Sequence, residues 1–109
     1  MRRIDYIKNN MGVFMDHQLV SAKEVERYAF KNEYVIIDIR SAREFRERHI
    51  KGAVCIPYER LLKQVPLLKN RTLILYCERG GLSLKAANEL NELGYQAKSV
   101  VGGIEAYFH

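Results

Sequence analysis

The stretch Tyr76-Cys77-Glu78-Arg79-Gly80-Gly81-Leu82-Ser83 places a thiol, adjacent glycines and a hydroxyl within a few residues of one another. Cys77 closes the apolar run Thr72–Cys77 (TLILYC), which reads as a buried strand, and Ser83 opens a helical pattern. The residues between them must then form a tight loop. Gly80 and Gly81 let that loop curl without Cβ clashes, so successive N–H groups can turn inward as an anion-binding nest. The helix start adds unpaired amides and a partial positive charge, which favour a thiolate at the strand end. Arg79 offers further attraction for an anion. By position alone, a cysteine ending a strand is a small buried apolar residue. A structural cysteine needs no anion nest beside it, however, and the loop tips the reading to a nucleophile.

The elements that must hold this loop alternate along the chain. Gln18–Val20 reads as a short strand. Ser21 with Glu24 forms a capping-box pattern for a helix carrying Ala22, Val25 and Ala29 at helical spacing. Tyr34–Ile39 (YVIIDI) is β-branched and long enough for a buried strand. Ser41 with Glu44 is a second capping box, opening a charged helix through Arg48. Ala53–Ile56 reads as a short strand stopped by Pro57, and Leu61, Leu62 and Val65 mark a helix ending before Pro66. Ser83–Leu93 is amphipathic, with Ala86, Ala87, Leu90 and Leu93 on one face and Gly94 as its stop. Gln96–Val101 is a last strand, Gly102-Gly103 a turn and Ile104–Phe108 a terminal helical turn. Strands alternating with helices predict an α/β fold with a parallel sheet covered on both faces. In such sheets ligands bind beyond the carboxyl ends of the strands, where Cys77 lies.

Composition sets the outer bounds. A chain of 109 residues suffices for one domain with a core and is too short for two ordinary ones. At 48% hydrophobic and 28% charged residues it is neither disordered nor low-complexity. The net charge of +5 favours anionic partners, but it is spread along the chain rather than gathered in a tail. Two cysteines exclude a disulfide scaffold and a metal site of several thiolates. No apolar run is long enough for a membrane span. The opening MRRIDYIKNN carries Arg2 and Arg3, but polar residues follow where a secretory leader needs its apolar region. We read residues 1–17 as an N-terminal extension, residues 18–109 as a single domain, and the protein as cytoplasmic.

Two groups of motifs, in order and spanning about Val20 to Phe108, resemble the single-domain rhodanese-like sulfurtransferase family. The first is Val35-Ile-Ile-Asp38-Ile-Arg40, then Glu44-Phe45, His49-Ile50-Lys51-Gly52-Ala53 and Ile56-Pro57. The second is Leu75-Tyr76-Cys77 with its loop, Leu93-Gly94-Tyr95, and Gly102-Gly103-Ile104-Glu105-Ala106-Tyr107. The resemblance implies a three-layer α/β/α fold around a central, mostly parallel five-stranded sheet. It also implies that Cys77 is a sulfur-accepting nucleophile, with Glu78, Arg79, Gly80, Gly81, Leu82 and Ser83 binding the transferred sulfur and its donor. No metal or organic cofactor is implied. The implied partners are a small anionic sulfur donor, such as thiosulfate or a persulfide, and a thiol or protein acceptor. Nucleic acid and membrane are not among them. The chain departs from the family pattern at Leu82, where an Arg is common, at Arg48, where a Gly precedes the His, and at Tyr107, usually a Trp.

Other polar residues are weighed against plainer roles. Asp38 and Arg40 read as an ion pair tying a strand end to nearby loops, ahead of a pocket role. His49 reads as a hydrogen-bonded turn residue rather than a general base. Cys55 reads as a buried apolar residue rather than a resolving thiol, because nothing brings it to Cys77. Arg40, Arg43, Arg46, Arg48 and Lys51 read as a solvated helix face or an acidic-partner surface, and lack the aromatic interleaving of a nucleic-acid groove. Two alternatives to sulfur transfer stand: a non-catalytic docking module on the same scaffold, and a cysteine phosphatase or arsenate reductase. The latter wants an Arg to clamp its oxyanion, where this loop has Leu82 and Ser83.

Overall fold

The computed structural model describes residues 18–109, so the expected N-terminal extension over residues 1–17 lies outside the described residues. Alternation within two apolar strands sets the layers. Strands β2 (Tyr34–Asp38) and β4 (Thr72–Tyr76) pair in parallel, with Ile37 opposite Leu75 and Asp38 opposite Tyr76. Val35, Ile37, Leu73 and Leu75 face one core, while Ile36, Ile74 and Tyr76 face the other. Cys77 has the parity of Leu73 and Leu75 and joins their core. Three shorter strands complete the sheet: β1 (Leu19–Val20), β3 (Val54–Cys55) and β5 (Ala97–Val100). The order is β1-β5-β4-β2-β3, with every pair parallel.

Helices cover both faces. The first core is closed by Leu61 and Val65 from the region of α2 (Leu61–Gln64), and by Ala86, Ala87 and Leu90 of α3 (Gly81–Glu92). The second is closed by Val25 and by Ile104 of α4 (Gly103–Tyr107). The remaining helix, α1 (Ala42–Glu47), buries none of its residues and is held by its ends. Its Ser41–Glu44 capping box forms as expected, with each side chain bonded to the other residue's backbone amide. These layers are the three-layer α/β/α arrangement around a parallel five-stranded sheet. No helix among the described residues is long and apolar enough to cross a membrane.

Several local expectations are corrected. The Ser21–Glu24 capping box does not organise a helix: the Glu24 amide donates to the Ser21 carbonyl, and only a 3-10 turn forms at Val25–Tyr28. Of that turn only Val25 is buried. Pro66 does not end helical structure, because a 3-10 turn carries on through Val65–Leu68. Proline's fixed φ and missing N–H are harmless in a first turn. Leu62 and Leu93, expected on apolar faces, are exposed. The strand at Cys55 is two residues long, and Cys55 is half-buried rather than core.

Candidate active site

Cys77 follows the last residue of β4 and is 6% exposed. Helix α3 begins at Gly81, earlier than the Ser83 expected from the sequence, so the connecting loop is shorter than predicted. Its N-cap is Gly80, which has no side chain to satisfy the first-turn amides. The sulfur takes that place. The Gly80 and Ser83 amides donate to Cys77 Sγ at 3.2 and 3.4 Å, and the thiol donates to Ser83 Oγ at 3.5 Å. The Ser83 hydroxyl in turn donates to the Gly80 carbonyl at 3.2 Å and shares a 2.7 Å hydrogen bond with Ser99 of β5. Both hydroxyls are fully buried, so this small polar network is closed beneath the sulfur.

The other side of the loop rests on α4. The Ile104 and Glu105 amides donate to the carbonyls of Cys77 and Glu78 at 3.0 and 3.1 Å. In a planar trans peptide the N–H opposes the C=O, so the Glu78 and Arg79 amides point away from α4. Neither has an acceptor among the described residues. Gly103 makes the contact possible. With φ at +62°, any Cβ there would sit 2.5 Å from both carbonyl oxygens. Gly80 is similarly constrained, at φ +108° and with its missing Cβ 3.1 Å from the Gly102 amide. Gly81, by contrast, is an ordinary helical residue with open space at its Cβ position.

Asp38 and Arg40 form the ion pair expected of them, and it is buried. The Arg40 guanidinium reaches both Asp38 carboxylate oxygens, with Nη2 to Oδ2 at 2.8 Å. Nη2 also donates to the Arg48 carbonyl at 2.7 Å, closing the end of α1. Burial opposes the guanidinium charge, but the Asp38 carboxylate more than offsets it and holds the Arg40 pKa above its ordinary value. Arg40 is therefore no part of a solvated basic face. Its Nη1 reaches Glu78 at 3.4 Å, and Arg48 approaches the other Glu78 oxygen at 3.9 Å, fastening the loop to the end of β2. Tyr76, under the guanidinium, accepts from the Ile50 amide at 3.0 Å. Burial and its bond to Asp38 push its phenol well above the usual range.

An open cleft of about 490 Å³ lies over the sulfur, lined by Ile39, Arg40, Glu44, Cys77, Glu78, Arg79, Gly81 and Leu82. Leu82 stands at its lip, 40% exposed. The Arg79 side chain is 83% exposed and bonds Glu105 at 3.1 Å. Thus the backbone of the predicted loop gathers around Cys77, with Ser83 beneath the sulfur and Leu82 and Arg79 at the rim. His49 makes the hydrogen bond expected of a turn residue: it stacks on Phe45 and bonds the Phe45 carbonyl at 2.8 Å. Cys55 lies in a different setting, beneath the Arg40 carbonyl at 4.0 Å. Burial and the Asp38 carboxylate raise its pKa above the ordinary value. Ser99 carries no signal in the sequence beyond a hydroxyl in the last strand, and Gly102-Gly103 reads there only as a closing turn.

This architecture has relatives. A family model described as rhodanese-like domain matches residues 21–109. Thiosulfate sulfurtransferase PspE of Escherichia coli is 36% identical over 73 residues, covering 63% of this chain and 69% of that protein. A tRNA sulfurtransferase of Desulfurococcus amylolyticus is 34% identical over 73 residues, covering 67% of this chain. That stretch is 14% of the tRNA enzyme, so the chain corresponds to a small part of it. Among solved structures, reduced Bacillus anthracis CoADR-RHD superposes with a TM-score of 0.74 at 30% identity, over 83% of this chain and 16% of that one. A rhodanese-related protein from Thermoplasma volcanium matches in fold, with a TM-score of 0.73 at 23% identity over 84% and 90% of the two chains. With the family match running from the turn after β1 to the last residue, the chain belongs to the rhodanese-like domain family.

Proposed function

We propose that this protein is a sulfurtransferase that carries sulfane sulfur as a persulfide on Cys77. One observation carries the reading: the Gly80 and Ser83 amides converge on Sγ, while the Glu78 and Arg79 amides point away from α4 with no acceptor among the described residues. With thiosulfate as donor, the Cys77 thiolate attacks the outer sulfur. The Sγ–S bond forms, the donor's S–S bond breaks, and sulfite leaves with the electron pair. A thiophilic acceptor then attacks the outer sulfur of the persulfide and regenerates the Cys77 thiolate. Both steps place negative charge where N–H groups are already oriented, so little reorganisation is needed. The sulfurtransferase names of the relatives support the same reaction class.

The test is intact mass after incubating the reduced protein with thiosulfate or cysteine persulfide. The proposal expects a gain of one sulfur atom, removed by cyanide as thiocyanate and absent in Cys77→Ser. If neither donor adds sulfur, the reading fails and the docking-module alternative takes its place. Turnover of an aryl phosphate would instead support the phosphatase alternative.

A further inference from the structure

The cleft says more about the donor than about the reaction. Resting on the Cys77 persulfide reading, we infer that the site selects an alkyl persulfide, R–S–S–H, over the thiosulfate dianion. The charges around the sulfur carry the inference. Arg40 lines the cleft, but its guanidinium is buried, with Asp38 holding two of its nitrogens and Glu78 the third. Arg48 also approaches Glu78 rather than the open cleft. Arg79 is bonded to Glu105 and stands in solvent, where its field is screened. Glu44 and Glu78 both line the cleft, so it holds as many carboxylates as guanidiniums, and every guanidinium has a carboxylate partner. Leu82 adds an apolar group at the lip, and Ile39 another on the wall.

A dianion entering here meets backbone amides but no unpaired cation among the described residues, and the Glu44 carboxylate on the cleft wall opposes it. An alkyl persulfide presents at most one charge at its reacting end, and its carbon chain can lie against Leu82 and Ile39. The step balances without an oxidant. The Cys77 thiolate attacks the outer sulfur of R–S–S–H, the donor's S–S bond breaks, and the alkyl thiolate leaves with the electron pair. The proton remains on the transferred sulfur or passes to the leaving thiolate. Specificity therefore lies in two rim features, the absence of charge at Leu82 and the engagement of Arg79 by Glu105.

Single-turnover loading, followed by intact mass at pH 7, tests this with thiosulfate and cysteine persulfide as the two probes. The expected second-order rate constant for cysteine persulfide exceeds that for thiosulfate by about tenfold or more. Leu82→Arg should raise thiosulfate loading by about tenfold, and Glu105→Gln, by releasing Arg79, by about two- to threefold. Equal loading of the wild-type protein by both probes, with no gain in either variant, overturns the inference while leaving the persulfide reading intact. Failure of both probes to load Cys77 overturns both.

Discussion

Cys77 and Cys55 both sit at the carboxyl ends of parallel strands in one sheet, separated by β2. Their surroundings differ in kind. Cys77 takes the place of an N-cap for a long helix, with two amides on its sulfur and a second helix bonded to the carbonyls of its loop. Cys55 follows no such turn. It lies opposite Asp38 in the strand register, its thiol meets only a backbone carbonyl at 4.0 Å, and burial with Asp38 disfavours its thiolate. A strand end therefore does not make a reactive thiol. What differs is the direction in which the neighbouring backbone points, donors toward Cys77 and an acceptor toward Cys55.

The sharpest break of this comparison is the pair of serine variants. Cys77→Ser should abolish sulfur loading and Cys55→Ser should retain it, both read by intact mass after donor treatment. Retained loading in Cys77→Ser would make Cys55 the carrier.

Asp38 belongs to the environment of Cys55 and to the buried pair that fastens the Cys77 loop. Asp38→Asn leaves Arg40 buried without its counter-charge and should destabilise the fold by about 3–5 kcal/mol in urea unfolding. The same change removes a charge that raises the Cys55 pKa, so Cys55 alkylation should quicken in whatever fraction stays folded.

Glycine substitutions separate the backbone that builds the cradle from the backbone that merely passes through it. Gly103→Ala forces a Cβ against the Cys77 and Glu78 carbonyls and must move the loop. Loading should fall by about a hundredfold, comparable to losing one preorganised donor. Gly81→Ala meets open space in a helical residue, and should stabilise the protein by up to about 1 kcal/mol in thermal or urea unfolding.

The smallest effect is in pH dependence. Burial and Asp38 hold the Cys55 pKa above its ordinary value, so in Cys77→Ser its alkylation should stay slow at neutral pH and rise only in the alkaline range. Fold stability follows the same sign at Tyr76. Its phenol is raised above 10.0 in the folded chain, so below that pH both states keep the proton and stability is unaffected. Above it the unfolded chain loses the proton first and stability falls.

Much of the difference between the cysteines is local and could be read directly. Alternation from Leu73 to Cys77 assigns the thiol to the α3 face, and Gly80-Gly81 before a helical pattern marks the turn that bares the amides. The Ser41–Glu44 capping box is equally local and forms. Identical spacing at Ser21–Glu24 does not cap a helix: the Ser21 hydroxyl meets the Glu24 carboxylate, and the Glu24 amide is taken by the Ser21 carbonyl. The support beneath the loop is nonlocal. Ile104 and Glu105 reach the Cys77 and Glu78 carbonyls only because β5 lies beside β4, and Ser99 meets Ser83 for the same reason. Arg79 illustrates the limit from the other side. A cation in the loop reads as part of the anion site, yet its carboxylate partner, Glu105, comes from α4, distant in sequence. Pairing of that sort leaves no mark in spacing.

The central claim is that this scaffold makes one of its two cysteines a sulfur carrier. The direct measurement is peptide mapping by tandem mass spectrometry of the wild-type protein after cysteine persulfide treatment, with free thiols blocked before digestion. The account predicts the added sulfur on the peptide bearing Cys77 and an ordinary blocked thiol at Cys55. Added sulfur on the Cys55 peptide, or on neither, would contradict it.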